Sequence, residues 1–228
     1  MALLEFVRER TAEAAAEAAA RHIVGGLVAS DMMSPVGARL AIPGGSALAA
    51  VGPTLRELPA RMRRRMHLTW TDERCVPVDD PASNHGTARR QGLVPTDCAS
   101  VLPLWLAGET PQTAEQRIRE AFVQDLDRRI DVALLGLGED GHIASLFATN
   151  APPEEPLGFV TYVPNAPKPP PARMTLTLGM LTNARLGVLL VTGEGKRDAL
   201  TRMLRGEENS PARHIGRMII VTDLEINV

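Results

Sequence analysis

The chain is short of the residues on which several common functions depend. Its two cysteines, Cys75 and Cys98, are too far apart for a C-x-x-C pair and too few for a disulfide framework or a zinc cluster, which suits a reducing, cytoplasmic setting. Aromatic residues make up 3% of the sequence, leaving few platforms for stacked bases. The net charge of -2 supplies no field to draw nucleic acid or an anionic membrane. The one basic cluster, RMRRR at 61–65, reads as a solvated helix end or loop. No stretch approaches the length of a membrane span, and Glu5 enters before the apolar part of an export signal develops. The histidines (His22, His67, His85, His142 and His214) are scattered, without a pair at metal-binding helical spacing.

What is present is ordinary in composition, with 44% hydrophobic and 23% charged residues, and this excludes disordered and fibrous architectures. A length of 228 residues is enough to bury one substantial core, so a single domain over 1–228 is expected. The alanine-rich segment from Leu3 to Val28, closed by Gly25-Gly26, predicts an opening helix. ARLAIP predicts a strand, cut by Pro43-Gly44-Gly45-Ser46 before a helix over ALAAVGPTLREL. Met66 to Trp70 predicts a strand, and TDERCVPVDDPASNHG after it a long functional loop. Pro111 to Leu126 predicts an amphipathic helix, Asp131 to Leu135 a buried strand. The proline-rich APPEEPLGFVTYVPNAPKPPPARMT predicts an extended loop holding one strand, FVTYV. MTLTL, RLGVLLVTG and RMIIVT predict three more strands, with helices over LTNA and GKRDALTRML between them. Such alternation, with several strands apolar throughout, predicts an α/β fold whose mostly parallel sheet is covered on both faces.

In open α/β sheets, ligands gather at the carboxyl ends of the strands. Four polar segments fall at such ends: PGGS at 43–46, TDER at 71–74, GLGEDGH at 136–142 and TGEGK at 192–196. One shared site is the economical reading. GLGEDG satisfies the G-x-G-x-x-G spacing of dinucleotide-binding turns, but a ribose-binding acid is wanted about 20 residues on, at the end of a strand. Glu154 and Glu155, near that distance, lie in PPEEP before any strand. Glu139 and Asp140 would also set negative charge beside a pyrophosphate. A metal site built from Asp140 and His142 alone would be incomplete. Acid-base chemistry remains, because an aspartate two residues before a histidine can orient the ring and stabilise the imidazolium; the alternative is a histidine that caps a helix beginning near Gly141. PGGS offers backbone N–H groups and a hydroxyl to a phosphate, or is a turn with purely conformational glycines. Lys196 could reach the same anion or sit at the surface. Arg74 presents a planar fork for phosphate or carboxylate, or pairs with Asp72 or Glu73.

PGGSAL at 43–48, TDERCVPVDDPASNHGTAR at 71–89, LLGLGEDGHIASLF at 134–147, PKPPPARMTLTLGMLTNA at 167–184 and GEGKRDAL at 193–200 run in the order found in the 6-phosphogluconolactonase family. The chain resembles that family over nearly its whole length. The resemblance implies a three-layer, Rossmann-like, mostly parallel sheet similar to that of the glucosamine-6-phosphate deaminases, with neither nicotinamide nor metal. It implies hydrolysis of 6-phospho-D-glucono-1,5-lactone in the oxidative pentose phosphate pathway, by a cytoplasmic monomer or small homo-oligomer that binds no nucleic acid or membrane. It also distributes roles. His142 would activate water, Asp140 would orient it, Asp72 and Arg74 would lie at the substrate, and Gly44, Gly45, Ser46 and Lys196 would hold the phosphate with help from Arg173. The chain departs from the family pattern at Ala148, where proline is frequent, and at Ala47-Leu48, where Thr-Pro is.

Two other functions are to be weighed. A sugar-phosphate isomerase-deaminase would follow the Asp-Gly-His turn with Asn-Glu-Pro, whereas Ser145-Leu146-Phe147 stands here. A sugar-phosphate sensor of the transcription-regulator kind would carry a DNA-binding module, and the segment before ARLAIP has room for one helix rather than a helix-turn-helix.

Overall fold

The computed structural model describes residues 3–147, 158–207 and 210–226. In chain order the elements are β1 (Leu3–Arg8), α1 (Ala12–Met33), β2 (Ala38–Ile42), α2 (Gly45–Arg56), α3 (Ala60–Arg63), β3 (Met66–Trp70), β4 (Asp72–Arg74), α4 (Asn84–Arg90), β5 (Ser100–Leu102), α5 (Pro111–Gln124), β6 (Val132–Gly136), β7 (Val160–Val163), β8 (Arg173–Leu176), α6 (Leu178–Thr182), β9 (Leu186–Val191), α7 (Arg197–Arg205) and β10 (Arg217–Thr222). Short 3-10 turns at Glu194–Lys196 and Pro211–His214 precede α7 and β10. Ala148, Glu154 and Glu155 lie outside the described residues.

Seven strands form one sheet in the order β1-β10-β9-β6-β2-β3-β5, with every neighbouring pair parallel. β2, β3 and β9 are buried along their whole length. Burial on both faces is why LGVLLV and ARLAI show no alternation. α1 lies across the sheet against β2, β9 and β10. The expected α/β architecture with a mostly parallel sheet is what the chain adopts. A second, three-stranded antiparallel sheet, β4-β8-β7, stands at its carboxyl end. It is anchored there by Thr71, whose N–H donates to Ile42 O (2.8 Å) and whose carbonyl accepts from Leu176 N–H (2.8 Å).

Three expectations are corrected. The opening segment is not one helix: Leu3–Arg8 is an edge strand paired with β10. The helix starts only at Ala12, where the Thr11 hydroxyl accepts from Ala14 N–H. Gly25 and Gly26 do not end it, since α1 continues to Met33. A Cβ on Gly26 would come within 2.9 Å of Val132 Cγ2 and 3.0 Å of Leu186 Cδ2, so this glycine lets the helix lie close on the sheet. The stretch after Trp70 is not simply a loop either, for it contains β4 and the start of α4. Finally, among the described residues no helix begins near Gly141; residues 143–146 form a tight turn closed by an Ile143–Leu146 bridge, with Ala144 at φ 51°.

Candidate active site

The four polar segments at the strand ends meet around a cleft of about 380 Å³. Its wall includes the Gly44, Gly45 and Ser46 turn that follows β2, Asp72 and Arg74 of β4, Arg173 of β8, His142, and Lys196. Asp140 reaches the cleft through His142. The structure thus brings together every residue singled out from the sequence, and adds Asn84, Lys168 and, behind Asp72, Ser145.

His142 sits on a turn built by its glycines. Gly141 N–H donates to Gly138 O (3.0 Å), and Gly138 N–H to His142 O (2.8 Å). Gly141 has φ 79°, open to glycine at little cost. A Cβ on Gly138 would lie 2.0 Å from His142 Nδ1, so the spacing that mimics a dinucleotide turn here makes room for an imidazole. The ring's Nδ1 is hydrogen-bonded to Asp140 Oδ1, and its face is tilted against Phe147, with centroids 4.7 Å apart. Ser210 Oγ donates to Gly141 O (2.9 Å) and Arg202 Nη2 to Glu139 O (3.0 Å), bracing the turn from outside. Partial burial pushes the Asp140 carboxyl up, but the hydrogen bond and charge of His142, its own backbone N–H and the charge of Lys168 more than offset this and hold it below the usual value. Because the residues after Gly141 turn rather than coil into a helix, the alternative of a helix-capping histidine does not apply.

Asp72 is 5% exposed. Its Oδ2 accepts from Ser145 Oγ (2.6 Å) and lies 3.8 Å from Arg173 Nη1, while Asn84 Nδ2 donates to its Oδ1 (3.3 Å) and to its backbone oxygen (2.9 Å). Asn84 also seats the glycine turn, since a Cβ on Gly44 would fall 1.9 Å from Asn84 Oδ1. Gly45 opens α2 at φ 69°. Ser145 and Asn84 escaped the sequence reading as individual residues; the only signal for them was their place inside the long GLGEDGHIASLF and TDERCVPVDDPASNHG segments.

Arg74 does not pair with Asp72 or Glu73. Its Nη1 donates to Ala82 O (2.6 Å), and its buried Nε has no hydrogen-bond partner. Glu73 instead turns away to accept from the N–H groups of Arg74, Asn84 and His85 and from Ser83 Oγ. In the β4–β8 register Arg74 stands opposite Arg173. Burial first, and then the charge of Arg74, lower the Arg173 guanidinium from its ordinary value. Lys196, at the end of a 3-10 turn entered through Gly193 at φ 86°, is half-buried at the cleft. Among the described residues no group of three or more His, Cys, Asp or Glu side chains is placed to hold a metal ion.

Comparison with known proteins agrees with this architecture. The chain is 33% identical over 222 residues to the human 6-phosphogluconolactonase, covering 92% of this chain and 79% of that one. It is 33% identical over 219 residues to the 6-phosphogluconolactonase of Mycobacterium leprae, covering 86% of each. Among solved structures, the 6-phosphogluconolactonase from Trypanosoma cruzi superposes with a TM-score of 0.82 at 23% identity, over 97% of this chain and 96% of that one. The enzyme from Shewanella baltica superposes with a TM-score of 0.80 at 22% identity, over 97% and 98%. At those identities the two structures establish the fold. The family model described as glucosamine-6-phosphate isomerases/6-phosphogluconolactonase matches residues 10–221, and the chain belongs to that family.

Proposed function

We propose that the chain hydrolyses 6-phospho-D-glucono-1,5-lactone to 6-phospho-D-gluconate, the lactonase step of the oxidative pentose phosphate pathway, with His142 as general base. The observation that carries this reading is the placement of His142: its Nδ1 is tied to Asp140, and its ring lies in the wall of a cleft that also holds the Gly44–Ser46 turn and several cationic side chains. With the Nδ1 N–H donating to the Asp140 carboxylate, the Nε2 lone pair is left for water. His142 takes a proton from water as the water oxygen bonds to the lactone carbonyl carbon, and the carbonyl π pair moves to its oxygen. Collapse of this tetrahedral species breaks the bond to the ring oxygen, which receives the proton back from the imidazolium. Assistance of this kind is worth about 10²- to 10⁴-fold, or roughly 3–5 kcal/mol of barrier.

The substrate's phosphate fits the opposite requirement, fixed positive partial charge. Gly44, Gly45 and Ser46 open the twelve-residue helix α2 at the cleft, where N–H groups and the helix dipole favour an anion, and Lys196 adds a full charge. Asp72 and Arg74 flank the sugar between the two ends. Deamination gains no support from the site, because Ser145, beyond the Asp-Gly-His turn, gives its hydroxyl to Asp72 rather than supplying a further carboxylate. The test is acid release from freshly generated 6-phosphogluconolactone at constant pH, measured against the spontaneous rate. Acceleration proportional to enzyme is expected; a rate no faster than the blank, or ammonia released from glucosamine 6-phosphate, overturns the reading.

A further inference from the structure

The cationic side chains at the cleft are not equivalent. Arg173 is committed to the protein: Nε donates to Pro170 O (3.1 Å), Nη2 to Lys168 O (2.8 Å) and Nη1 to Ser145 Oγ (3.4 Å), with Asp72 Oδ2 3.8 Å away. Its guanidinium carbon stands 6.0 Å over the Phe147 ring. An arginine held in this way has little left to give a phosphate, the helper role that the family resemblance implies for it. Lys168 is the converse. It is exposed and lines the cleft together with His142, and its ammonium has no hydrogen-bond or ion-pair partner among the described residues. Of the two lysines at the cleft, only Lys168 helps hold the Asp140 carboxyl low, which sets its charge on the side of the Asp140–His142 pair.

We propose that Lys168 supplies the positive charge for the oxyanion formed at the lactone carbonyl, and that Arg173 is a positioning residue that fixes Lys168 by clamping the carbonyls of residues 168 and 170. The proposal rests on the lactonase reading above. As water adds to the carbonyl carbon, a full negative charge appears on the carbonyl oxygen beside His142. An ammonium there interacts more strongly with the transition state than with the neutral lactone, which raises kcat rather than binding. Lysine alone is a flexible donor, but its backbone is not free to wander. Residues 167 and 169–171 are prolines, each with φ fixed; Ala166 N–H donates to Pro171 O (2.9 Å); and the Arg173 fork pins the segment from inside.

The experiment is steady-state hydrolysis of 6-phosphogluconolactone and of unphosphorylated glucono-1,5-lactone by the wild type, Lys168→Met, Arg173→Lys and the double variant, each checked for folding by thermal melting. Loss of an oxyanion donor typically costs about 10²- to 10³-fold, and solvent screening lowers this for an exposed ammonium. Lys168→Met is therefore expected to lower kcat about 10- to 100-fold on both lactones, leaving the preference for the phosphorylated one unchanged. Arg173→Lys should lower kcat alone but add little in the Lys168→Met background, the non-additivity of two residues acting through one group. A Lys168→Met enzyme with wild-type kcat overturns the proposal, as does a loss confined to the phosphorylated lactone, which would make Lys168 a phosphate ligand. Fully additive effects overturn the positioning role of Arg173. A wild type inert toward both lactones overturns the lactonase reading and this proposal together, whereas an active wild type with an unaffected Lys168→Met variant overturns this proposal alone. Should the Met variant not fold, Lys168→Gln serves for the same measurements.

Discussion

The imidazole of His142 occupies the space that a side chain on Gly138 would need: a Cβ there would lie 2.0 Å from His142 Nδ1 and 2.4 Å from Asp140 Oδ1. Gly138→Ala must therefore displace the ring, the carboxylate or the turn. Overpacking of this kind costs about 1–3 kcal/mol, small enough beside a typical folding stability of about 5–15 kcal/mol for the variant to fold. Displacing a reacting group by about 1 Å costs about 10²-fold in rate, so lactone hydrolysis should fall steeply while the thermal melt shifts by about 2–12 °C. Wild-type turnover in a folded Gly138→Ala enzyme would mean that the Asp140–His142 pair is not where the chemistry happens.

His142→Ala tests the proposed base directly. The ring is a partner for Asp140 and Phe147 at the cleft, on the proposed mechanism it is also the proton acceptor, and it contributes nothing to the Gly44–Ser46 end. Turnover should drop about 10²- to 10⁴-fold, while titration calorimetry with 6-phosphogluconate gives an affinity close to that of the wild type. If affinity and kcat fell together, His142 would be a binding residue rather than the base.

How much of this was visible beforehand depended on whether a residue's state is set locally. β2, β6 and β9 announce themselves as apolar runs, and the polar residues after them mark the site, so the Gly44–Ser46 turn, Asp140, His142 and Lys196 could be found by position. Leu3–Arg8 could not, because six residues with two charges carry no period, and their strand state comes from β10 at the other end of the chain. β4 is Asp72-Glu73-Arg74, with no strand pattern at all; its pairing with β8 makes it one and brings Arg74 opposite Arg173. Ser145 sat inside the apolar IASLF, which reads as a helix face. Only the turn at Ala144 directs its hydroxyl to Asp72. Similarly, the commitment of Arg173 to the carbonyls of residues 168 and 170 depends on a loop path that composition does not reveal.

Lys196→Ala should separate phosphate recognition from chemistry. A hydrogen bond to a charged group is worth about 1.5–3 kcal/mol, and partial exposure of Lys196 places it near the lower end of this range. The variant is expected to lose about tenfold in kcat/KM on 6-phosphogluconolactone, mostly through KM, and almost nothing on unphosphorylated glucono-1,5-lactone. The ratio of the two specificity constants is the measurement, and an unchanged ratio removes Lys196 from the phosphate end.

Glu73 makes a prediction about stability rather than rate. It is 1% exposed and accepts from the N–H groups of Arg74 (2.6 Å), Asn84 (2.8 Å) and His85 (2.7 Å) and from Ser83 Oγ (3.1 Å). Those bonds hold β4 against the start of α4, and through it Arg74 and Asn84 at the cleft. Burial pushes the carboxyl above its ordinary value of 4.5, although the hydrogen bonds pull the other way. The folded protein therefore keeps the Glu73 proton to higher pH than the unfolded chain does, and this group's contribution to stability falls as pH rises from 4.5 through the raised folded value. Glu73→Gln abolishes the titration but turns an amide N–H₂ toward N–H donors, and each buried donor left unpaired costs about 1–3 kcal/mol. Urea unfolding at a series of pH values should show the variant less stable throughout, with its deficit shrinking as pH rises through that window. A deficit that stayed constant would mean that Glu73 has the same proton affinity in the folded and unfolded states, and that its burial is offset in full by the four bonds it accepts.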